Sequence, residues 1–269
     1  MRLFDTHCHL DFPQFDKDRD KVIKRAIDSG VVFMVNVGID IETSKKSIEI
    51  ARKYPFIFAS AGIHPNEVKN FEISDLKKIE ELGKDKKIVG IGETGLDYHY
   101  GKELSDRQKE FFIGQIEIAG KLGLPLIIHQ RQAVEDMIEI IEKKKFPERV
   151  VFHCFDGDEN LLKICEEKGF FISITGIVTF PNAHRIREAV KKFPFSRILA
   201  ETDSPFLSPV PLRGKRNEPC NVRYIVEKIS ELKGRKLEES AEEIFINSVK
   251  FFNLPDYLQN KGFEVKFNI

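Results

Sequence analysis

Short β-branched or apolar runs alternate with longer stretches of helical spacing along this chain, about eight times over. The strand-like runs are Arg2–Thr6, Val32–Val37, Ile57–Gly62, Ile88–Gly92, Leu126–Ile128, Val150–Phe152, Phe170–Ile174 and Ile198–Ala200. Between them, charged stretches such as Lys21–Asp28, Ser74–Leu82, Asp106–Leu122 and Glu159–Lys168 carry apolar residues at i, i+3 and i+4. The last is stopped by Gly169, and a strand-like run follows at once. Further helix is expected over Val222–Leu232 and Ser240–Phe251. Strands alternating with helices imply a parallel sheet. Eight of them in 269 residues imply a closed TIM-type (β/α)8 barrel with an extra C-terminal helix, with an open doubly wound sheet as the competing arrangement. No linker or low-complexity segment interrupts the pattern, so residues 1–269 read as a single domain. The longest irregular stretch, Ser204–Cys220, holds prolines at 205, 209, 211 and 219 and reads as a stiff, ordered loop.

In a barrel the C-terminal ends of all strands meet on one face, where active sites form. The residues at those ends are therefore the informative ones. His7 and His9 close the first run and, two apart in a strand, point to one face. Glu93 follows the fourth run, His129 ends the fifth, His153 the sixth, and Asp203 follows the eighth. A lone histidine at a strand end is more often a hydrogen-bonded structural group than a ligand. Four of the chain's seven histidines in this one pattern, with two carboxylates, are enough for two divalent ions with positions left for water and substrate. Glu93 has two oxygens and can bridge them. Mixed imidazole and carboxylate ligands accept Zn, Mn, Co or Ni, and Mg more weakly. His64, after the third run, also reaches the mouth, as a structural group or a phosphate contact. Glu201 faces the same way as Asp203 and either orients an outer ligand, touches a metal, or pairs within the barrel. His99 and His184 are expected at the surface. Cys8 and Cys154, next to ligands, are expected to point away into the layer between sheet and helices.

Lys+Arg 43 balances Asp+Glu 43, so no global field recruits nucleic acid, and any such contact rests on a local patch. The cysteines Cys8, Cys154, Cys165 and Cys220 form no C-x-x-C pair and suggest reduced thiols in a cytoplasm. No secretory leader is expected at the N-terminus. With no apolar run near about 18 residues, no membrane span is expected.

The ordered set Asp-Thr-His-Cys-His-Leu-Asp at 5–11, Gly-Ile-His-Pro at 62–65, Gly-Glu-Thr-Gly-Leu-Asp-Tyr at 92–98, Pro-Leu-Ile-Ile-His at 125–129, His-Cys-Phe-Asp-Gly at 153–157, Glu-Thr-Asp-Ser-Pro at 201–205 and Gly-Lys-Arg-Asn-Glu-Pro at 214–219 resembles the TatD family of metal-dependent deoxyribonucleases, within the amidohydrolase-like group. The resemblance runs along nearly the whole chain. It implies a TIM-type barrel, a divalent-metal centre and hydrolysis of DNA phosphodiester bonds, often from the 3′ end. It carries the family's ligands onto His7, His9, Glu93, His129, His153 and Asp203. One position departs: many relatives have a second histidine two places after that of Gly-x-His-Pro, and here it is Asn66, which can bond a phosphate oxygen but not donate a proton near neutral pH.

The mechanism these residues suggest has Glu93 shared by two cations, Asp203 as base or proton shuttle, and His64 offsetting charge on the phosphoryl oxygens. Arg213, Lys215 and Arg216 in the loop after strand eight, with Arg131, are phosphate-contact candidates. Tyr98 and Tyr100 could stack on a splayed base. The expected substrate is DNA, as single strands or 3′ ends, and the expected state is a monomer. The rivals are a hydrolase of a lactone or cyclic amide on the same barrel, and a non-catalytic metal-binding partner protein.

Overall fold

The structure, a computed structural model, describes residues 1–254; the end of the expected domain, 255–269, lies outside the described residues. Eight strands lie side by side in chain order and pair in parallel: β1 (Leu3–Cys8), β2 (Val31–Val37), β3 (Ile57–Ala61), β4 (Ile88–Asp97), β5 (Leu126–Arg131), β6 (Val150–Phe152), β7 (Phe171–Ile174) and β8 (Ile198–Ala200). The intervening helices are α1 (Arg19–Asp28), α2 (Ile41–Lys53), α3 (Leu76–Leu82), α4 (Ser105–Leu122), α5 (Val134–Lys143), α6 (Glu159–Lys168) and α7 (His184–Lys192), followed by α8 (Val222–Lys233) and α9 (Leu237–Phe251). The expected (β/α)8 barrel with an additional C-terminal helix is what forms. No helix among the described residues is long and apolar enough to cross a membrane.

The seam between β1 and β8 is closed largely by the chain that leaves β8. Asp203 N donates to the His7 carbonyl and His9 N to the Ser204 carbonyl, each at 2.8 Å. The Thr6 hydroxyl donates to the Ala200 carbonyl. At the start of the strands α9 sets Phe245 against Phe4 and Phe33, ring centroids 6.3 and 5.8 Å apart, and Phe252 against Phe4 at 5.7 Å. Buried phenylalanines of this size each remove about 1.5–3 kcal/mol of apolar surface cost, so the C-terminal helix belongs to the core.

Three strands hold an extra residue against a neighbour, and two of them, β1 and β4, carry expected ligands. Between Asp5 and Cys8, β1 holds one residue more than its partner β2. Between Ile91 and Thr94, β4 does the same against β5. Such bulges re-aim a side chain and are common beside active sites. Here they fall at Thr6–His7 and Gly92–Glu93. The apolar run Ile88–Gly92 predicts a shorter strand; β4 continues to Asp97. Gly95 explains why. Its φ is +144°, and a Cβ there would overlap the carbonyl oxygen of His129 on β5. Glycine lets two ligand-bearing strands approach closely.

Candidate metal centre

Glu93 is buried at the centre of the strand ends, and its two oxygens face different partners. Oε1 lies 2.8 Å from His129 Nδ1, 2.9 Å from His153 Nε2 and 3.4 Å from His64 Nε2. Oε2 lies 3.4 Å from His7 Nε2 and 3.9 Å from His9 Nε2. Asp203 Oδ1 stands 3.3 Å from His9 Nε2 and 3.7 Å from His7 Nε2, while those two ring nitrogens are 3.2 Å apart. The His7 and His153 rings stack at 4.1 Å. The six expected ligands thus converge on one volume. Three compact sets within it have metal-like spacing: His7 with His9 and Glu93, His7 with His153 and Asp203, and His64 with Glu93 and His129.

The far nitrogens test whether this donor set fits cations. His9 Nδ1 donates to the Val37 carbonyl at 3.0 Å, His129 Nε2 to Asp97 Oδ2 at 3.0 Å, and His153 Nδ1 to Glu201 Oε1 at 3.2 Å. Each acceptor holds a proton on the outer nitrogen, so that an incoming cation displaces only the inner one and meets a lone pair aimed at Glu93 or, for His9, at Asp203. Outer partners of this kind are what orient metal-binding histidines. His64 is wired the opposite way. Its Nδ1 accepts from the backbone N–H of Asn66 at 3.1 Å, so in the neutral ring the proton sits on Nε2, facing Glu93. His64 therefore presents a donor where the other three present lone pairs. Among the described residues His7 Nδ1 is buried without a hydrogen-bond partner. Convergent lone pairs and carboxylate oxygens, with no cationic side chain from Lys or Arg among them, fit divalent ions.

Charge follows the same geometry. Burial works to raise the Glu93 pKa, but His153, His64 and His129 around it hold it well below the usual carboxylate range. Burial works to lower His9, yet its hydrogen bond and attraction to Asp203, with Glu93 beyond, carry it to about 9. His153 is opposed by burial and raised by Glu93 and Glu201. His129 is opposed by burial and raised by Asp97 and Glu93. Burial lowers His7 and His64, the former helped by His153.

Around the centre several expectations change. Glu201 is buried and accepts from both His153 Nδ1 and Cys154 N, so it touches the His153 ring rather than the inner volume. Asn66 donates through Nδ2 to Asp97 Oδ2 at 3.2 Å, so the side chain expected at a phosphate is turned to a carboxylate. Tyr98 is buried, its hydroxyl donating to Asp136 at 2.6 Å; the stacking expected of it is not available, and Tyr100 next to it is 76% exposed. Arg216 donates to Asp18, Glu218 and the Gln14 carbonyl and covers the Phe15 ring, so its guanidinium is already engaged. Arg131, Arg213 and Lys215 are exposed, with Arg213 over the Phe180 ring at 3.7 Å. Cys8 points outward as expected, donating to the Val35 carbonyl. Cys154 does not lie in the packing layer: β6 ends at Phe152, and this half-buried residue has φ +46° with Sγ 3.6 Å from the Thr175 hydroxyl. His99 and His184 are exposed.

Asp97 was assigned no role from sequence. It holds His129, and burial against it is outweighed by His129, the His99 N–H and Asn66, which keep its pKa at about 2. The available signal was spacing: Glu93, Gly95 and Asp97 alternate along one strand and so share a face.

A family model described as TatD-related DNase matches residues 4–253. The chain belongs to this family. Over 94% of its length it is 44% identical to an uncharacterized metal-dependent hydrolase, YabD, of Bacillus subtilis, covering 99% of that protein. It is 35% identical to the 3'-5' ssDNA/RNA exonuclease TatD of Erwinia tasmaniensis, across 94% of this chain and all of that one. Among solved structures, YJJV, a TatD homolog from Escherichia coli K12, superposes with TM-score 0.89 at 27% identity, covering 94% of this chain and 98% of that one. The protein is a metal-dependent hydrolase of the TatD family.

Proposed function

We propose that the protein is a two-metal deoxyribonuclease that hydrolyses phosphodiester bonds of DNA from the 3′ end. The observation that carries this reading is the division of donors about Glu93. His7, His9, Asp203 and Glu93 Oε2 would hold one divalent ion; His129, His153 and Glu93 Oε1 would hold the other. Bound there, the ions would supply an activated water and neutralise charge on the phosphoryl oxygens.

The chain's own groups supply the rest. Asp203 has the most open carboxylate of the centre, its side chain 15% exposed against 5% for Glu93, and is the acceptor for a proton leaving the attacking water. His64 Nε2–H offers a hydrogen bond to a phosphoryl oxygen, a donor fixed in direction before the reaction begins. Glu201 and Asp97 are positioning residues, setting the rings of His153 and His129. Arg131, Arg213 and Lys215 at the mouth gain backbone affinity without reading sequence. The relative's name, a 3'-5' ssDNA/RNA exonuclease, supports both the bond type and the polarity. Four free thiols fit a reducing cytoplasm.

End-labelled single-stranded DNA tests the reading. Metal-stripped protein restored with Mn, Mg, Zn, Co or Ni is expected to shorten the strand from its 3′ end. Asp203→Asn is expected to fold normally and lose at least about a hundredfold in turnover, as expected for loss of a proton acceptor. An Asp203→Asn protein that cleaves like the wild type removes the role given to Asp203. Metal-loaded wild type that leaves every DNA intact refutes the nuclease and turns attention to lactones and cyclic amides.

A further inference from the structure

Large apolar side chains are exposed at six described positions, and four of them, Tyr100, Leu104, Phe206 and Val210, sit on the two loops leaving β4 and β8. Those are the strands that lead into Glu93 and Asp203. Apolar groups gathered on the loops of a candidate site, rather than scattered singly, point to a ligand-contact surface.

Phe206 is the most informative of the four. It is 46% exposed, three residues beyond Asp203, and its N–H donates to the Asp203 carbonyl at 2.9 Å. Its ring packs edge-on against Phe12, with centroids 5.9 Å apart and planes at 78°. Phe12 in turn stacks on His9, at 4.7 Å and 26°. Three rings thus lead from a proposed metal ligand to solvent. The ring is not on a free loop tip: the His9 N–H to Ser204 carbonyl bond and the Asn217 N–H to Pro205 carbonyl bond hold the chain on both sides of it. Exposed Lys215 lies close by in the chain path, its carbonyl accepting from the Ser208 hydroxyl two residues past Phe206. An apolar plate next to a proposed phosphate-hydrolysing centre, on a loop that also carries exposed Lys215, matches one chemistry well, an anionic backbone with flat apolar groups attached.

We infer that Phe206, braced by Phe12, is a stacking platform for an unpaired base adjoining the scissile phosphate, and that it favours single-stranded ends over paired ones. The inference rests on the nuclease reading for the identity of the scissile bond. A base inside a duplex has both faces stacked and one at a paired end is tied to its partner, so an unpaired base, free to turn onto the plate, gains most from it. Stacking of a base on an aromatic side chain is sequence-tolerant, because every base has a π-face. The platform therefore selects strandedness, not sequence.

The test pairs hydrolysis with a binding signal that needs no turnover. On a single-stranded oligonucleotide, Phe206→Ala is expected to lower kcat/KM about tenfold, the scale of one lost base stack, and Phe206→Trp to keep or improve it. On oligonucleotides lacking the base at the last or the penultimate nucleotide, the Phe206→Ala deficit is expected to vanish for one of the two. In the Asp203→Asn background, 2-aminopurine at that position should be quenched on binding, and the quench should be lost with Phe206→Ala added. An equal deficit on intact and abasic strands, no deficit at all, or no quench overturns the platform while leaving any observed cleavage standing. Quenching that depends on Phe206 in a wild type that cuts no oligonucleotide does the reverse: the platform holds and the nuclease reading falls.

Discussion

Replacing Asp97 by asparagine isolates what holding a ligand from behind is worth. Asp97 Oδ2 accepts from His129 Nε2 at 3.0 Å and from Asn66 Nδ2 at 3.2 Å, and Oδ1 accepts from the His99 N–H at 2.9 Å. Asparagine keeps the shape but has one acceptor oxygen for these donors and removes a negative charge held ionised down to about pH 2. The backbone there is secured separately: Asp97 N donates to Gln108 Oε1, and Gln108 Nε2 donates to the Asp97 carbonyl, at 2.9 and 3.0 Å. The fold should therefore survive. The loss falls on His129, whose proton is no longer drawn to Nε2, so Nδ1 offers its lone pair less of the time. Outer partners of metal-binding histidines are worth 10–100-fold in affinity, or about 1.4–2.7 kcal/mol. Calorimetric titration of stripped protein with Mn or Zn should show one of two sites weakened by that factor, with Tm of the stripped protein lowered by only a few degrees. Two unweakened sites, or a stripped protein that unfolds outright, would refute this account of His129.

Metal binding should also be proton-linked. With His9 held at about 9 and His153 and His129 raised, the stripped site carries protons at neutral pH that a cation must displace. Affinity should rise with pH between about 6 and 9, and titrations in two buffers of different ionisation heat should reveal release of at least about one proton near pH 7. Stability without metal runs the other way: the part contributed by His9 is fully present below its ordinary value of about 6.5 and is lost as pH rises through about 9. A stripped protein that gains stability over that interval would contradict it. Arg216→Ala should cost about 1–2 kcal/mol in denaturant unfolding, because it opens a half-exposed clasp to Asp18 and Glu218, and should change DNA affinity less than Lys215→Ala does. Weaker DNA binding at unchanged stability would instead make Arg216 a phosphate contact.

The barrel was legible because each strand is a short apolar run bounded by helical spacing, and burial on both faces keeps seven of the eight runs free of charge, Arg2–Thr6 being the exception. The ligands were legible because their strands end in residues too polar for a core. What stayed hidden depends on contacts across the sheet. Gly92 reads as a strand end and Gly95 carries no signal, yet they allow β4 to bulge and to lie close against His129. Asp97 sits in a recognised motif, but its role exists only because His129 is on the neighbouring strand. Tyr98 reads as a mouth aromatic, and only the position of Asp136 on α5 shows that its ring turns inward. Arg216 belongs to a basic run whose charge is met by Asp18, far away in sequence. The opposite proton positions on His64 and His129 follow from single hydrogen bonds that no spacing encodes.

The central claim is a pair of cations bridged by Glu93. An anomalous-difference map from a crystal of the protein loaded with Mn tests it directly. Two peaks are expected on either side of Glu93, one beside His7, His9 and Asp203 and the other beside His129 and His153. A single peak, or a pair that leaves Glu93 on one side, would contradict it.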